Sequence, residues 1–223
     1  MDGFYVFIRL KIRMLLMGIA TIRVVILLIF SLTRFFISLG QHWFGIVMLL
    51  HVTAFIIQMS IILPFEIAVA GHIGSLASLL FLPHAVRVLS VWLLGPKAFF
   101  ALFPASLLIS YFFFRHDYDP VTLFLITLWG AASAVIAFEF LRFMNLDVYP
   151  KNAASINWRS LVFAGCLASF FNSVGGTYLK REGLAPAEIF ELLSRYLIGD
   201  IGGLLFCLIV LMLILRYHRL THR

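Results

Sequence analysis

An all-α bundle of transmembrane helices is the fold class this sequence predicts, on three observations. Hydrophobic residues fill 63% of the 223 positions, and charged residues only 12%. Mean hydropathy is +1.06. Apolar runs long enough for a helix to span a bilayer recur along the chain, separated by short polar turns. A soluble domain carries about 45–50% apolar and about 25% charged residues, and one core of this size cannot hide the surplus. Lipid must therefore be the solvent for most side chains. Backbone polar groups must then pair within the chain, which favours helices.

The elements follow in order. Residues 1–16 carry Arg9, Lys11 and Arg13 among Phe, Tyr, Ile and Leu, the pattern of a basic amphipathic segment lying at the interface. A first span is expected over 21–39, with Arg23 and Arg34 snorkelling near its ends. A second is expected over 43–63, ended or kinked by Pro64. Residues 65–81 form a short polar element between Pro64 and Pro83, holding Glu66, Gly71, His72, Gly74, Ser75 and Ser78. At about seventeen residues it sits at the low end of a spanning length, so a re-entrant or half-crossing helix is expected. The next span, 86–114, is interrupted by Gly95-Pro96-Lys97 and by Pro104. Spans over 120–143 and 158–179 follow, the second with a Gly175-Gly176 pair able to unwind it. Residues 186–196 read as an amphipathic helix lying on the membrane, and 197–215 as the last span.

Charge selects the topology. Both ends are basic, which places both termini in the cytoplasm and requires an even number of crossings. Six spans plus one re-entrant element satisfy this; seven spans are the alternative. Residues 1–223 are expected to form a single integral membrane domain in a bacterial inner membrane. Pairs of small residues four apart, Ala70/Gly74, Gly130/Ala134, Ala164/Ala168 and Gly199/Gly203, permit close helix approach.

The net charge of +7 does not predict nucleic-acid binding, because the basic residues gather at helix ends and termini. Cys166 and Cys207 lie inside apolar runs with no metal-ligand spacing, so they read as small hydrophobes. No cofactor or metal site is expected. No phosphate loop or nucleophile motif is present, which points away from an enzyme.

Ionisable groups inside a membrane are costly, so each is a candidate for function. Glu66 opens the short polar element, either complementing a helix dipole or pairing with Arg87 or Lys97. His72 lies within that element. Pro83-His84-Ala85-Val86-Arg87 places a proline turn, a histidine and an arginine between two apolar runs. Arg87 there could hold an anion or a carboxylate. Asn172 precedes the Gly175-Gly176 pair. Asp200 is the most isolated acid in an apolar run, with an interfacial cap as its other reading. Glu66, His72, His84, Arg87, Asn172 and Asp200 thus form the candidate ligand site. Glu139 and Arg142, three apart, form a candidate structural ion pair.

The run Phe81-Leu82-Pro83-His84-Ala85-Val86-Arg87-Val88-Leu89, followed by Leu93-Leu94-Gly95 and Pro104, resembles a motif of the bacterial membrane-associated sensor domains fused to histidine kinases and diguanylate cyclases. The Gly199-Asp200 to Gly203 stretch is similar to that family's late acidic-glycine motif. The likeness covers roughly 65–112 and 197–210. It implies a membrane sensor or ligand-binding module. That family has about eight spans and a fused output domain, neither of which is found in this sequence. The likeness therefore implies signalling through a membrane or cytoplasmic protein partner, with a small-molecule ligand and the lipid bilayer as the other contacts. A second likeness is to the substrate-binding S-components of energy-coupling-factor transporters, which are small six-span proteins with both termini inside.

Overall fold

The computed structural model describes residues 42–70, 78–150, 157–181 and 185–221. The expected interfacial segment 1–16, the span 21–39 and His72 lie outside the described residues. Contact clustering separates residues 1–43 from Phe44–Arg223. Nearly all of the described residues belong to the second.

The described chain is helical, with no strand among its residues. The helices are α1 (Trp43–Ile57), α2 (Leu63–Ala70), α3 (Leu82–Leu94), α4 (Phe99–Phe114), α5 (Pro120–Phe143), α6 (Trp158–Leu179) and α7 (Pro186–Thr221). Five continuous helical stretches are long and apolar enough to cross a membrane: Trp43–Val69, Leu82–Phe114, Pro120–Phe143, Trp158–Leu179 and Pro186–Ile214. Their outer faces carry exposed Phe, Leu, Ile and Val, as lipid contact requires.

Pro64 does not end its helix. Gln58–Ile62 forms a π turn between α1 and α2, and the Leu63 amide donates to the Gln58 carbonyl. Pro64 has no amide to give, and its ring would crowd the Ser60 carbonyl in a regular helix. Widening the preceding turn absorbs that conflict and lets the helix run on. Consequently residues 65–70 continue this helix and 78–81 are non-helical, with 71–77 outside the described residues.

A short helix enclosed by its neighbours lies further along the chain, at α3. Its 13 residues span about 20 Å, short of a ~30 Å hydrocarbon core. It starts alongside the middle of α7, where the Phe81 amide donates to the Gly199 carbonyl at 2.8 Å. Pro83 sits in its first turn, where a missing amide costs nothing. Nine of its residues are buried, so protein rather than lipid surrounds it.

Leu82–Phe114 is not one straight crossing. Gly95 takes φ +70°, leaving the helical path, and Gly95–Ala98 makes a 3₁₀ turn. A straight helix would separate Arg87 from Ser110 by about 35 Å, yet both line one small cavity. The Trp92 indole donates to the Val148 carbonyl beyond the end of α5 at 3.0 Å, while Thr127 of α5 donates to Ser110 of α4 at 2.7 Å. α3 and α4 are therefore a hairpin.

α6 runs unbroken through Gly175-Gly176. Any side chain at Gly175 would collide with the Trp129 indole, which donates to the Phe171 carbonyl at 2.8 Å. The expected surface-lying helix at 186–196 is continuous with the last span, because no breaker separates them: α7 is one helix of 36 residues. Cys166 and Cys207 are free.

Candidate functional site

Four of the six predicted ligand-site residues converge. Arg87 of α3 donates through Nη1 to the Gly130 carbonyl of α5 at 2.6 Å and to Asn172 Oδ1 of α6 at 3.2 Å. Asn172 Nδ2 donates to Asp200 Oδ2 of α7 at 2.7 Å. His84 Nδ1 lies 3.3 Å from the same Asp200 oxygen. His84 Nε2 lies 3.2 Å from the Gly165 carbonyl; a carbonyl only accepts, so Nε2 carries the proton. The chain Arg87–Asn172–Asp200–His84–Gly165 ties together α3, α6 and α7.

Each helix presents its member for a local reason. His84 and Arg87 are three apart on α3 and so share a face. Gly130 lets the guanidinium approach the α5 backbone, since a Cβ there would meet Arg87 Nη1 at 3.3 Å. Asp200 is the fifteenth residue of α7 and only 1% exposed, so it is no interfacial cap. His84 is fully buried and Arg87 is 6% exposed. A lone charge at such a depth is costly, and the Arg87–Asp200 pairing through Asn172 offsets part of that. Arg87 Nε and Asp200 Oδ1 have no hydrogen-bond partner among the described residues.

Beside this chain lies a cavity of about 150 Å³. Arg87, Asn172, Lys180, Tyr196, Thr127, Ser110, His51 and Ser106 supply its polar lining. Lys180 Nζ donates to the Tyr196 hydroxyl at 2.7 Å and lies 5.6 Å and 5.0 Å from the Tyr118 and Tyr196 ring centres. The Phe81 ring lies 5.7 Å from the Arg87 guanidinium carbon, within cation–π range.

Glu66 belongs elsewhere. It reaches neither Arg87 nor Lys97; its two oxygens accept the Leu79 and Leu80 amides at 3.2 and 3.0 Å. Gln58 Oε1 accepts the Leu82 amide at 3.1 Å, and Gln58 Nε2 donates to Ser78 Oγ at 2.8 Å. With the Phe81–Gly199 bond, the four successive amides of Leu79 to Leu82, where the non-helical segment enters α3, are all paired. That is the condition for unwound backbone within a membrane protein. Glu66 is thus a backbone clamp. The expected Glu139–Arg142 ion pair is present at 3.6 Å, and Glu139 also accepts the Tyr149 hydroxyl at 2.9 Å.

His51, Gln58, Lys180 and Tyr196 escaped sequence reasoning. His51 and Gln58 carried a usable signal: they lie seven apart in an apolar span, two turns along one helix face. Lys180 stands in a charged stretch after an apolar run and gives no signal of its own. Among the described residues no group of three or more His, Cys, Asp and Glu could hold a metal.

No protein-family model matches the chain, and comparison with curated proteins and with solved structures gives no match.

Proposed function

We propose that this is an integral membrane ligand-binding protein of the sensor type, placed in a bacterial inner membrane, which passes ligand occupancy to a protein partner. One observation carries the reading: the cavity of about 150 Å³ abuts the buried chain Arg87–Asn172–Asp200–His84. A structural bundle gains nothing by keeping an open, charged cavity among its helices, because voids and buried charge both cost stability. A ligand in that space would meet residues of six helices at once. Its occupancy would therefore bias how α3 docks on α6 and α7. The short proline-turn and acidic-glycine motifs that resemble membrane-associated sensor domains contribute residues to this chain, which is consistent with the same reading.

The test uses the full chain in lipid nanodiscs, screened against small metabolites by thermal midpoint. A ligand at 100 times its Kd stabilises by about 2.7 kcal/mol. Gly176→Leu fills the cavity from a position where a Cβ meets nothing within 4 Å. Saturable stabilisation of the wild type, lost in Gly176→Leu, is the expected result. If no compound shifts the wild type and Gly176→Leu is simply more stable, the cavity is a packing void and the reading falls. Uptake of a metabolite into vesicles by the chain with an ATPase partner would replace it with a transport subunit.

A further inference from the structure

We infer that the cavity beside Arg87 is built for a small oxyanion, a carboxylate or a phosphate, held between Arg87 and Lys180. This rests on the binding reading above and adds the chemical class of the ligand.

Charge favours an anion. Two cationic side chains line the cavity and, among the described residues, no carboxylate does. Asp200, the nearest buried acid, is turned to Asn172 and His84, and Asn172 stands between it and Arg87. One acid against two cations leaves at least one positive charge for the cavity to satisfy. Buried charges are paired or hydrogen-bonded as a rule, so an anion completes the site and a cation does not.

Unspent donors point the same way. Arg87 uses Nη1 on Gly130 and Asn172, while Nε is buried without a partner. Guanidinium offers five donors in a planar fork, suited to two oxygens of one anion. Lys180 has three donors, and its hydrogen bonds to the Tyr196 and Tyr118 hydroxyls account for two. The Tyr118 and Tyr196 rings and the Phe81 ring shield both cations from solvent and hold them in place.

Size bounds the ligand. An engineered cavity of about 150 Å³ in another protein holds one benzene. The ligand is therefore on the order of half a dozen non-hydrogen atoms, or the headgroup phosphate of a lipid whose tails stay outside.

The experiment measures binding to the full chain in phosphatidylcholine nanodiscs. The probes are inorganic phosphate and benzoate, with benzyl alcohol and benzylamine as neutral and cationic counterparts. The expected result is saturable binding of an anion and none of benzylamine. Lys180→Gln, which lies outside the Arg87–Asp200 chain and leaves it intact, weakens the anion about tenfold or more. Arg87→Lys weakens it further relative to benzyl alcohol, because the fork is lost. A second arm replaces part of the lipid with phosphatidylglycerol. Loss of benzoate binding there in the wild type, with no such loss in Lys180→Gln, supports the oxyanion site and assigns it to a lipid headgroup. If benzyl alcohol binds as well as benzoate and Lys180→Gln changes nothing, the cavity reading stands and the oxyanion assignment falls. If no probe of any charge binds and Gly176→Leu is without effect on the metabolite screen, both fall.

Discussion

Asp200 is the residue on which the buried chain turns, because it faces both Asn172 and His84 on one oxygen. Removing one member of a buried charged set costs about 3–5 kcal/mol, since the others stay behind unpaired. Asp200→Ala should therefore lower the thermal midpoint in detergent sharply. The double change Arg87→Met with Asp200→Leu should recover much of that loss, and failure to recover would mean that Asp200 acts through something other than this pairing. At the exposed end of α5, Asp119 accepts the Val121 and Thr122 amides at 3.0 and 3.1 Å. Hydrogen bonding to Thr122, first its side chain and then its amide, holds the Asp119 carboxyl below its ordinary range. A depressed carboxylate stabilises above its unfolded pKa, and that contribution disappears as pH falls through the lower, folded value. Asp119→Ala should thus reduce the midpoint slightly at pH 7. The difference from wild type should shrink in acid, below the usual aspartate range. A pH series of melting curves checks the sign.

At the scale of elements, the non-helical segment 78–81 lies across a glycine face of α7. A Cβ at Gly199, Gly202 or Gly203 would collide with the Ser78, Leu79 or Phe81 carbonyl oxygen respectively. Backbone cannot yield as a side-chain tip can, so Gly203→Ala should cost about 1–3 kcal/mol. Gly45, exposed on α1 with open space around its Cα, is the control: alanine there should gain roughly 0.5–1 kcal/mol. Equal effects of the two changes would refute the close approach. Glu66→Ala should leave the Leu79 and Leu80 amides seeking water, at about 1–3 kcal/mol each. Faster hydrogen exchange confined to 79–82 would report it. These features show what the sequence could and could not announce. Spacing alone marks Gly199/Gly203 as a packing face, but its partner is a stretch of backbone far earlier in the chain. Likewise Pro64 signals an interruption, yet whether a helix stops or widens depends on what Gln58 can hold. Among charged residues, isolation in an apolar run singles out Asp200 and Arg87, which the fold links through Asn172. Glu66 also stands in an apolar run, and only the fold shows that its partners are amides rather than a cation.

For the whole molecule, the hairpin of α3 and α4 decides where each loop lies. Lys180 meets Tyr118, so 115–119 and the end of α6 share one face of the bundle. Trp92 meets Val148, so the Gly95–Ala98 turn shares the opposite face with the loop after α5. Hydropathy cannot detect this, because Leu82–Phe114 has the length and composition of one long crossing, and a positive-φ glycine is a property of the fold. The two readings place Lys97 differently. One straight crossing buries it near mid-membrane; the hairpin leaves it exposed at the turn. Single cysteines at Lys97, Asp147 and Asp117, with Cys166 and Cys207 replaced by alanine, separate them. In sealed vesicles an impermeant maleimide should label positions 97 and 147 from the same side, and position 117 from the other. A position 97 that stays unlabelled until detergent is added would return the segment to a single crossing. It would also take Ser106 and Ser110 away from Arg87, and the cavity with them. The loop accessibility of one lysine is thus a test of the binding site itself: Arg87 can face α4 across a cavity only if the chain turns back at Gly95.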